Sequence, residues 1–132
     1  MAEIQNIENT EAAIEAARTA LIAEQNDLFR TSWAMDPSVP GQIVMTQGVA
    51  ALSPEALNAI GVSVIAFDEF TEENDPYGTR DFGVIKVLND GEEVPLYWKI
   101  DLYDTSYGYG SDDCADPTKT RRVMTLLLPS EY

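Results

Sequence analysis

The sequence predicts an α+β domain: a mostly antiparallel four-stranded sheet with two helices packed on one face. Three observations predict it. Two helical segments, near residues 11–31 and 54–70, are separated by the short β-branched run Gln42–Gln47. Two alternating strands flank an Asn-Asp-Gly turn at 89–91, a strong hairpin signal. A last apolar run, Arg121–Leu128, stops at Pro129.

Each element has a local reason. In the first helix, Asn9 or Thr10 caps a segment beginning at Glu11, and Ala12, Ala13, Ala16 and Ala17 supply propensity. Ile14, Ala17, Leu21, Leu28 and Phe29, with Ile22 at the edge, are expected to form its buried stripe. Gly41 and Gly48 bound the first strand. Ser53-Pro54-Glu55 starts the second helix with a hydroxyl cap, a proline at the first helical position and an acid in the first turn. Leu57, Ile60, Val64 and Phe67 are its buried side. Phe82–Leu88 and Leu96–Tyr103 make the hairpin. Leu96, Trp98, Ile100 and Leu102 share one face, and Tyr97, Lys99, Asp101 and Tyr103 share the wetter one. Residues 71–81 and 104–118 read as turn-rich loops.

The chain has 132 residues, which suits one domain over 1–132, with 1–9 expected as a flexible tail. Its formal net charge is −15, with no histidine and one cysteine. The missing histidine removes the usual proton shuttle, the usual base for a serine or cysteine nucleophile, and the commonest metal ligand. A single thiol rules out an internal disulfide framework. The opening segment lacks a basic region and an apolar run, so no secretory signal is read, and no stretch suits a membrane span. A cytoplasmic location follows as the expectation.

Charge this negative favours a basic protein surface as partner over nucleic acid or an anionic membrane. It is also uneven: residues 67–118 carry 14 acids and 3 bases. Asp68, Glu69, Glu72, Glu73 and Asp75 form one group; Asp112, Asp113 and Asp116 another; Asp90, Glu92 and Glu93 crowd the hairpin tip. Tyr97, Tyr103, Tyr107 and Tyr109 lie close by in sequence, and tyrosine suits interfaces because it offers large contact area at little entropy loss. The partner-binding residues read from this pattern are Glu72, Glu73, Asp75, Tyr103, Asp104, Tyr107, Tyr109, Asp112 and Asp113. Arg121 and Arg122 are expected to pair with nearby acids.

Other chemistries fare less well. Neither acid group follows the twelve-residue calcium loop, so no metal and no cofactor is assigned. Catalysis would need paired carboxylates, Glu72 with Asp101 or Asp104, or Lys99, and spacing alone does not bring these together. No catalytic residue is assigned. A homodimer through Tyr97, Tyr103, Val123 and Leu127 is a third arrangement.

Several strings are distinctive: TEENDPYGTRDFG at 71–83, WKIDLYD at 98–104 and YGSDDCADPTKTRRVMTLLLPSEY at 109–132, with QNDLFRTS at 25–32 and TQGVAALSPE at 46–55. They resemble the bacterial domain-of-unknown-function family 3768 over residues 21–132. Cys114 stands where that resemblance leads one to expect proline, which argues against a shared role for the thiol. The resemblance implies a setting on plasmids and other mobile elements. With the charge, it points to an acidic inhibitor that imitates DNA and antagonises a host nucleic-acid-binding defence system, CRISPR or restriction. The alternative is a small enzyme or metal-dependent accessory protein built on paired carboxylates.

Overall fold

The computed structural model describes the backbone of residues 2–132 and the side chains of residues 10–132; Met1 and the side chains of the tail expected over 1–9 lie outside what it describes. The elements run α1 (Ala2–Thr31), β1 (Gly41–Met45), α2 (Gln47–Ala50), α3 (Pro54–Ala66), β2 (Phe82–Asn89), β3 (Glu92–Tyr103) and β4 (Arg121–Leu127), with a closing 3₁₀ turn at Pro129–Glu131. The class is α+β as expected. The four strands lie in the order β1-β4-β3-β2.

The sheet is mixed, which corrects the mostly antiparallel expectation. β1 runs parallel to β4, pairing Gly41 with Arg122 through Met45 with Leu126. β4–β3 and β3–β2 are antiparallel. The physical reason is the connection. Hairpin turns dictate antiparallel neighbours, but β1 reaches β4 only after every other element has been laid down, so no turn fixes its direction. At the hairpin, Asp90 and Gly91 both adopt positive φ, 51° and 83°, as a two-residue type I′ turn requires. Pro95 faces Lys86 and lies beyond the last β3–β4 pair, Tyr97 with Leu127, so its missing N–H leaves no gap in the sheet.

α3 begins as read: Ser53 accepts a hydrogen bond from the Ala56 N–H at 3.2 Å, and Pro54 occupies the first position. It stops at Ala66, short of the expected Phe70. α1 is already helical at Thr10, so no cap marks Glu11. It ends at Thr31, where Trp33 and Ala34 take positive φ and the Ala34 N–H bonds back to the Phe29 carbonyl at 2.9 Å, closing the helix without a glycine.

One apolar cluster joins Phe29 of α1, Val49 of α2, Ile60 and Val64 of α3, and Ile85, Leu96, Trp98, Met124 and Leu126 of the sheet. Gly83 of β2 pairs with Trp98 of β3 and lies against its indole, and a Cβ there would overlap the ring. The expected stripe of α1 is corrected in part: Phe29 is buried as read, but Ile14, Leu21 and Leu28 are exposed, and Ala23, Gln25, Asn26 and Arg30 are buried in their stead. Polar side chains occupy the inner face because they have partners there.

Candidate functional site

The site begins with two neighbouring amides of α1. Gln25 Nε2 donates to the Ala115 carbonyl at 2.9 Å, and Asn26 Nδ2 donates to the Thr79 carbonyl at 2.9 Å. One bond holds the loop 104–120 and the other the loop 67–81. Beneath them lies Arg122 of β4, which is fully buried. Its Nε donates to Asn26 Oδ1 at 2.8 Å and one terminal nitrogen to Gln25 Oε1 at 3.0 Å, so it fixes which way each amide points. Arg122 was expected to pair with an acid; it has amide partners instead, and its Nη1 finds none. Burial pushes its pKa down to about 10, with the nearby Cys114 sulfur acting in the opposite direction. It remains a cation at neutral pH. Arg121 likewise meets a backbone carbonyl, that of Thr120, at 3.0 Å.

Ion pairs reinforce the same arrangement. Arg18 reaches Asp113 at 3.0 Å, tying α1 to the second loop. Asp27 bridges two cations, Arg30 at 3.0 Å and Arg80 at 2.7 Å, which ties α1 to the first. The Phe70 ring is within cation–π reach of both guanidinium groups, its centroid 5.5 Å from Arg30 and 4.9 Å from Arg80. Arg30 also donates to the Val64 carbonyl at 2.6 Å, joining α1 to the end of α3.

Both acidic loops therefore flank α1 at the end of the sheet where β2 and β4 begin and β3 finishes. The Asp90-Glu92-Glu93 group is at the opposite end, on the hairpin tip, where Lys86 pairs with Glu93 at 3.5 Å. The nine residues read from the sequence divide by what their side chains do. Glu72, Glu73 and Asp112 are exposed and, among the described residues, without an internal partner; Tyr109 is 79 % exposed. Tyr107 is also exposed and takes a positive φ of 60°. Tyr103 is half-buried opposite Arg121 and bridges to Gly110.

The remaining three carboxylates are engaged within the chain. Asp75 accepts from the Arg80 N–H at 3.1 Å, and Asp113 has Arg18. Asp104 accepts from the Ser106 hydroxyl at 2.7 Å and from the Ser106 and Gly108 N–H groups, which holds its pKa below the usual carboxylate value. The same Asp-x-Ser/Thr turn recurs at Asp36 with Ser38 and at Asp116 with Thr118, again lowering both pKa values through the hydroxyl and the N–H.

A second feature escaped the sequence reading. On the outer face of the sheet an open cleft of about 340 Å³ is lined by Tyr77, Asp81, Phe82, Lys99, Asp101 and Tyr132. Asp101 pairs with Lys99 at 3.2 Å. Asp81 has its pKa raised, first by desolvation and then by the carboxylates of Asp75 and Asp101. The alternation of β3 already placed Lys99 and Asp101 on one face; that Asp81 and Tyr77 fold over it is a property of the loop path. Leu127 of the proposed dimer face is buried, and Tyr132 packs edge-on against Tyr97 at 5.9 Å, so the C-terminal turn covers part of that surface. Among the described residues, no three His, Cys, Asp or Glu side chains gather to hold a metal ion, and no helix is long and apolar enough to cross a membrane.

These features define an acidic α+β domain whose mixed sheet carries two carboxylate-rich loops at one end, both anchored to a single helix. The family model described as "Protein of unknown function (DUF3768)" matches residues 45–131, about two thirds of the chain. The chain belongs to that family. The match starts at the last residue of β1, so α1 with Gln25 and Asn26 lies outside it. No curated protein and no solved structure matches the chain.

Proposed function

We propose that this is a stoichiometric binding protein, encoded on a bacterial mobile element and acting in the cytoplasm, that captures the basic surface of a host nucleic-acid-binding defence protein, a CRISPR effector or a restriction enzyme. On this reading it is not an enzyme, needs no cofactor, and touches neither nucleic acid nor membrane. One observation carries it: adjacent residues Gln25 and Asn26 hold both acidic loops to the same helix, leaving Glu72, Glu73, Tyr109 and Asp112 free to meet a partner.

Magnitudes say why gathering matters. Duplex DNA, with one charge per ~1.7 Å of axis, presents about one charge per 110 Å² of its cylinder wall. Spread over its 8222 Å² surface, the net charge of −15 amounts to about one per 550 Å². The average is some five times too dilute, so imitation of DNA rests on local density in these loops.

The test is competition for DNA. The protein is titrated into a DNA-binding assay of a restriction endonuclease or CRISPR effector from a host of the element, at low and high salt. Inhibition is expected, weakening as salt rises, and the triple variant E72K/E73K/D112K should be at least about tenfold weaker at an unchanged unfolding midpoint. Equal inhibition by that variant would remove this surface from consideration.

The cleft favours a second reading, acid–base chemistry by Asp81 and Asp101 with Lys99 alongside. It keeps Asp101 and Lys99 from the sequence reading but sets Asp81, not Glu72, beside them, and turnover abolished by D81N but not by the triple variant would select it.

A further inference from the structure

The pairing parity of β2 leaves a complete hydrogen-bonding edge open. Asn89 and Glu92 close the two-residue turn, so they form a hydrogen-bonded pair, and pairs of that kind alternate along an antiparallel ladder. Val87, Ile85 and Gly83 therefore direct their N–H and C=O groups toward β3. The Ile100 N–H bond to the Asp81 carbonyl, 2.8 Å, continues the same parity. Phe82, Val84, Lys86 and Leu88 direct theirs the other way, where no strand follows β2. None of these four has an outward backbone bond among the described residues.

Long regular edges of this kind are normally blunted by proline, a bulge or an outward lysine. β2 pairs through all eight residues without a bulge and contains no proline. Its one lysine, Lys86, is drawn toward β3 by Glu93 at 3.5 Å. Beside the edge runs an open groove of about 260 Å³, between Ser63, Ala66 and Phe67 at the end of α3 and residues Val84–Lys86, with Asp68 and Glu69 on its rim. On the other side of the sheet, Val84 and Leu88 are exposed.

We propose that the free edge of β2 is a strand-addition site for an extended basic segment of another protein. Charge selects that occupant: the groove has an acidic rim and no basic residue beyond the paired Lys86, and the chain is at −15. A second copy of this chain would bring the same acids to the same rim. The four outward residues span about 20 Å, the length of a six- or seven-residue strand. Its side chains alternate. One set lies beside Val84 and Leu88 and is apolar; the other enters the groove, where an arginine or lysine stem covers Ala66 and Phe67 and its head reaches Asp68 or Glu69. The recognition pattern is thus apolar–basic alternation, read by the β2 edge and the Asp68–Glu69 rim rather than by Glu72, Glu73, Tyr109 and Asp112.

The probe is an acetylated, amidated heptapeptide alternating valine and arginine, titrated into isotope-labelled protein and followed by amide NMR and hydrogen exchange. The Phe82, Val84, Lys86 and Leu88 amides should gain protection, whereas Gly83, Ile85 and Val87 are protected throughout. V84P removes one outward N–H and no ladder bond, and should weaken binding at least tenfold; the same peptide N-methylated at its arginine or its valine nitrogens should lose binding for one set, independently of any change to the protein. D68N/E69Q should lose the salt-sensitive part of the affinity and keep the protection pattern. The proposal is overturned by no binding at millimolar peptide, by equal binding to V84P and to both methylated peptides, or by shifts confined to residues 72–75 and 109–112, which would instead support the acidic-loop reading. A free-protein dimer that V84P dissolves would assign the edge to self-pairing and overturn it as well.

Discussion

Asn26→Ala is the substitution that most directly tests how the acidic end is built. Asn26 is fully buried and makes two bonds in opposite directions, accepting from Arg122 Nε at 2.8 Å and donating to the Thr79 carbonyl at 2.9 Å. A hydrogen bond to a charged group contributes about 1.5–3 kcal/mol and a neutral one about 0.5–1.5 kcal/mol. Losing both destabilises by about 2–4.5 kcal/mol, toward the upper end because Arg122 would then have two buried nitrogens without partners. With a urea slope of about 2 kcal/mol per molar, the midpoint falls by roughly 1–2 M at pH 7. N26D restores a partner, now a counter-ion, to Arg122 while giving up the Thr79 bond, so it should lose less than N26A. A double-mutant cycle of N26A with R122M should show coupling of about 1.5 kcal/mol or more. A midpoint within 0.5 M of the parent (about 1 kcal/mol at that slope), or additive effects in the cycle, would refute the claim that Arg122 orders the amides that hold the loops.

Acidification should destabilise the fold through its turn carboxylates. Asp36, Asp104, Asp116 and Glu131 have folded-state pKa values below their ordinary ones, so the stability they confer is full above the unfolded value and is lost as pH falls through the folded value. Urea midpoints should drop below roughly pH 4, and D116N should flatten that slope. Asp81 has the opposite sign: its raised pKa favours the fold below the unfolded value and withdraws that help as pH rises through the folded one, so D81N should raise stability at pH 7, measured by the same urea midpoints. G83A places a methyl against the Trp98 indole and should lower stability by about 1–3 kcal/mol, visible as a lower thermal midpoint. G91A strains the turn residue at φ 83° and should destabilise by about 1 kcal/mol, with exchange accelerating first at the hairpin tip.

Elements whose signal is local were legible in the sequence. Ser53-Pro54-Glu55 starts α3, and Asn89-Asp90-Gly91 turns the hairpin, because capping and positive φ are decided within a few residues. The inner face of α1 was not legible for the opposite reason. Gln25, Asn26 and Arg30 look like solvent residues, and, apart from Asp27 beside Arg30, the partners named for them are Ala115, Thr79, Arg122 and Val64, at least 34 positions away. Ile14, Leu21 and Leu28 offered the more conventional apolar row and proved to be the outer one. The direction of β1 was beyond reach because no turn connects it to β4. Of the residues read as partner-binding, composition pointed to the two acidic loops, yet it did not distinguish Glu72, Glu73 and Asp112 from Asp75, Asp104 and Asp113. That distinction depends on which oxygens already accept a bond.

The repeated Asp-x-Ser/Thr turns have a consequence for how this surface behaves in different media. A carboxylate clasped by its own hydroxyl and amide is a fixed dipolar knot whose shape owes little to ambient electrolyte. The bare carboxylates between such knots respond fully to it. Raising the salt concentration should therefore screen the molecule's long-range field while leaving the contour of its loops intact, so that shape and field can be switched apart in one protein.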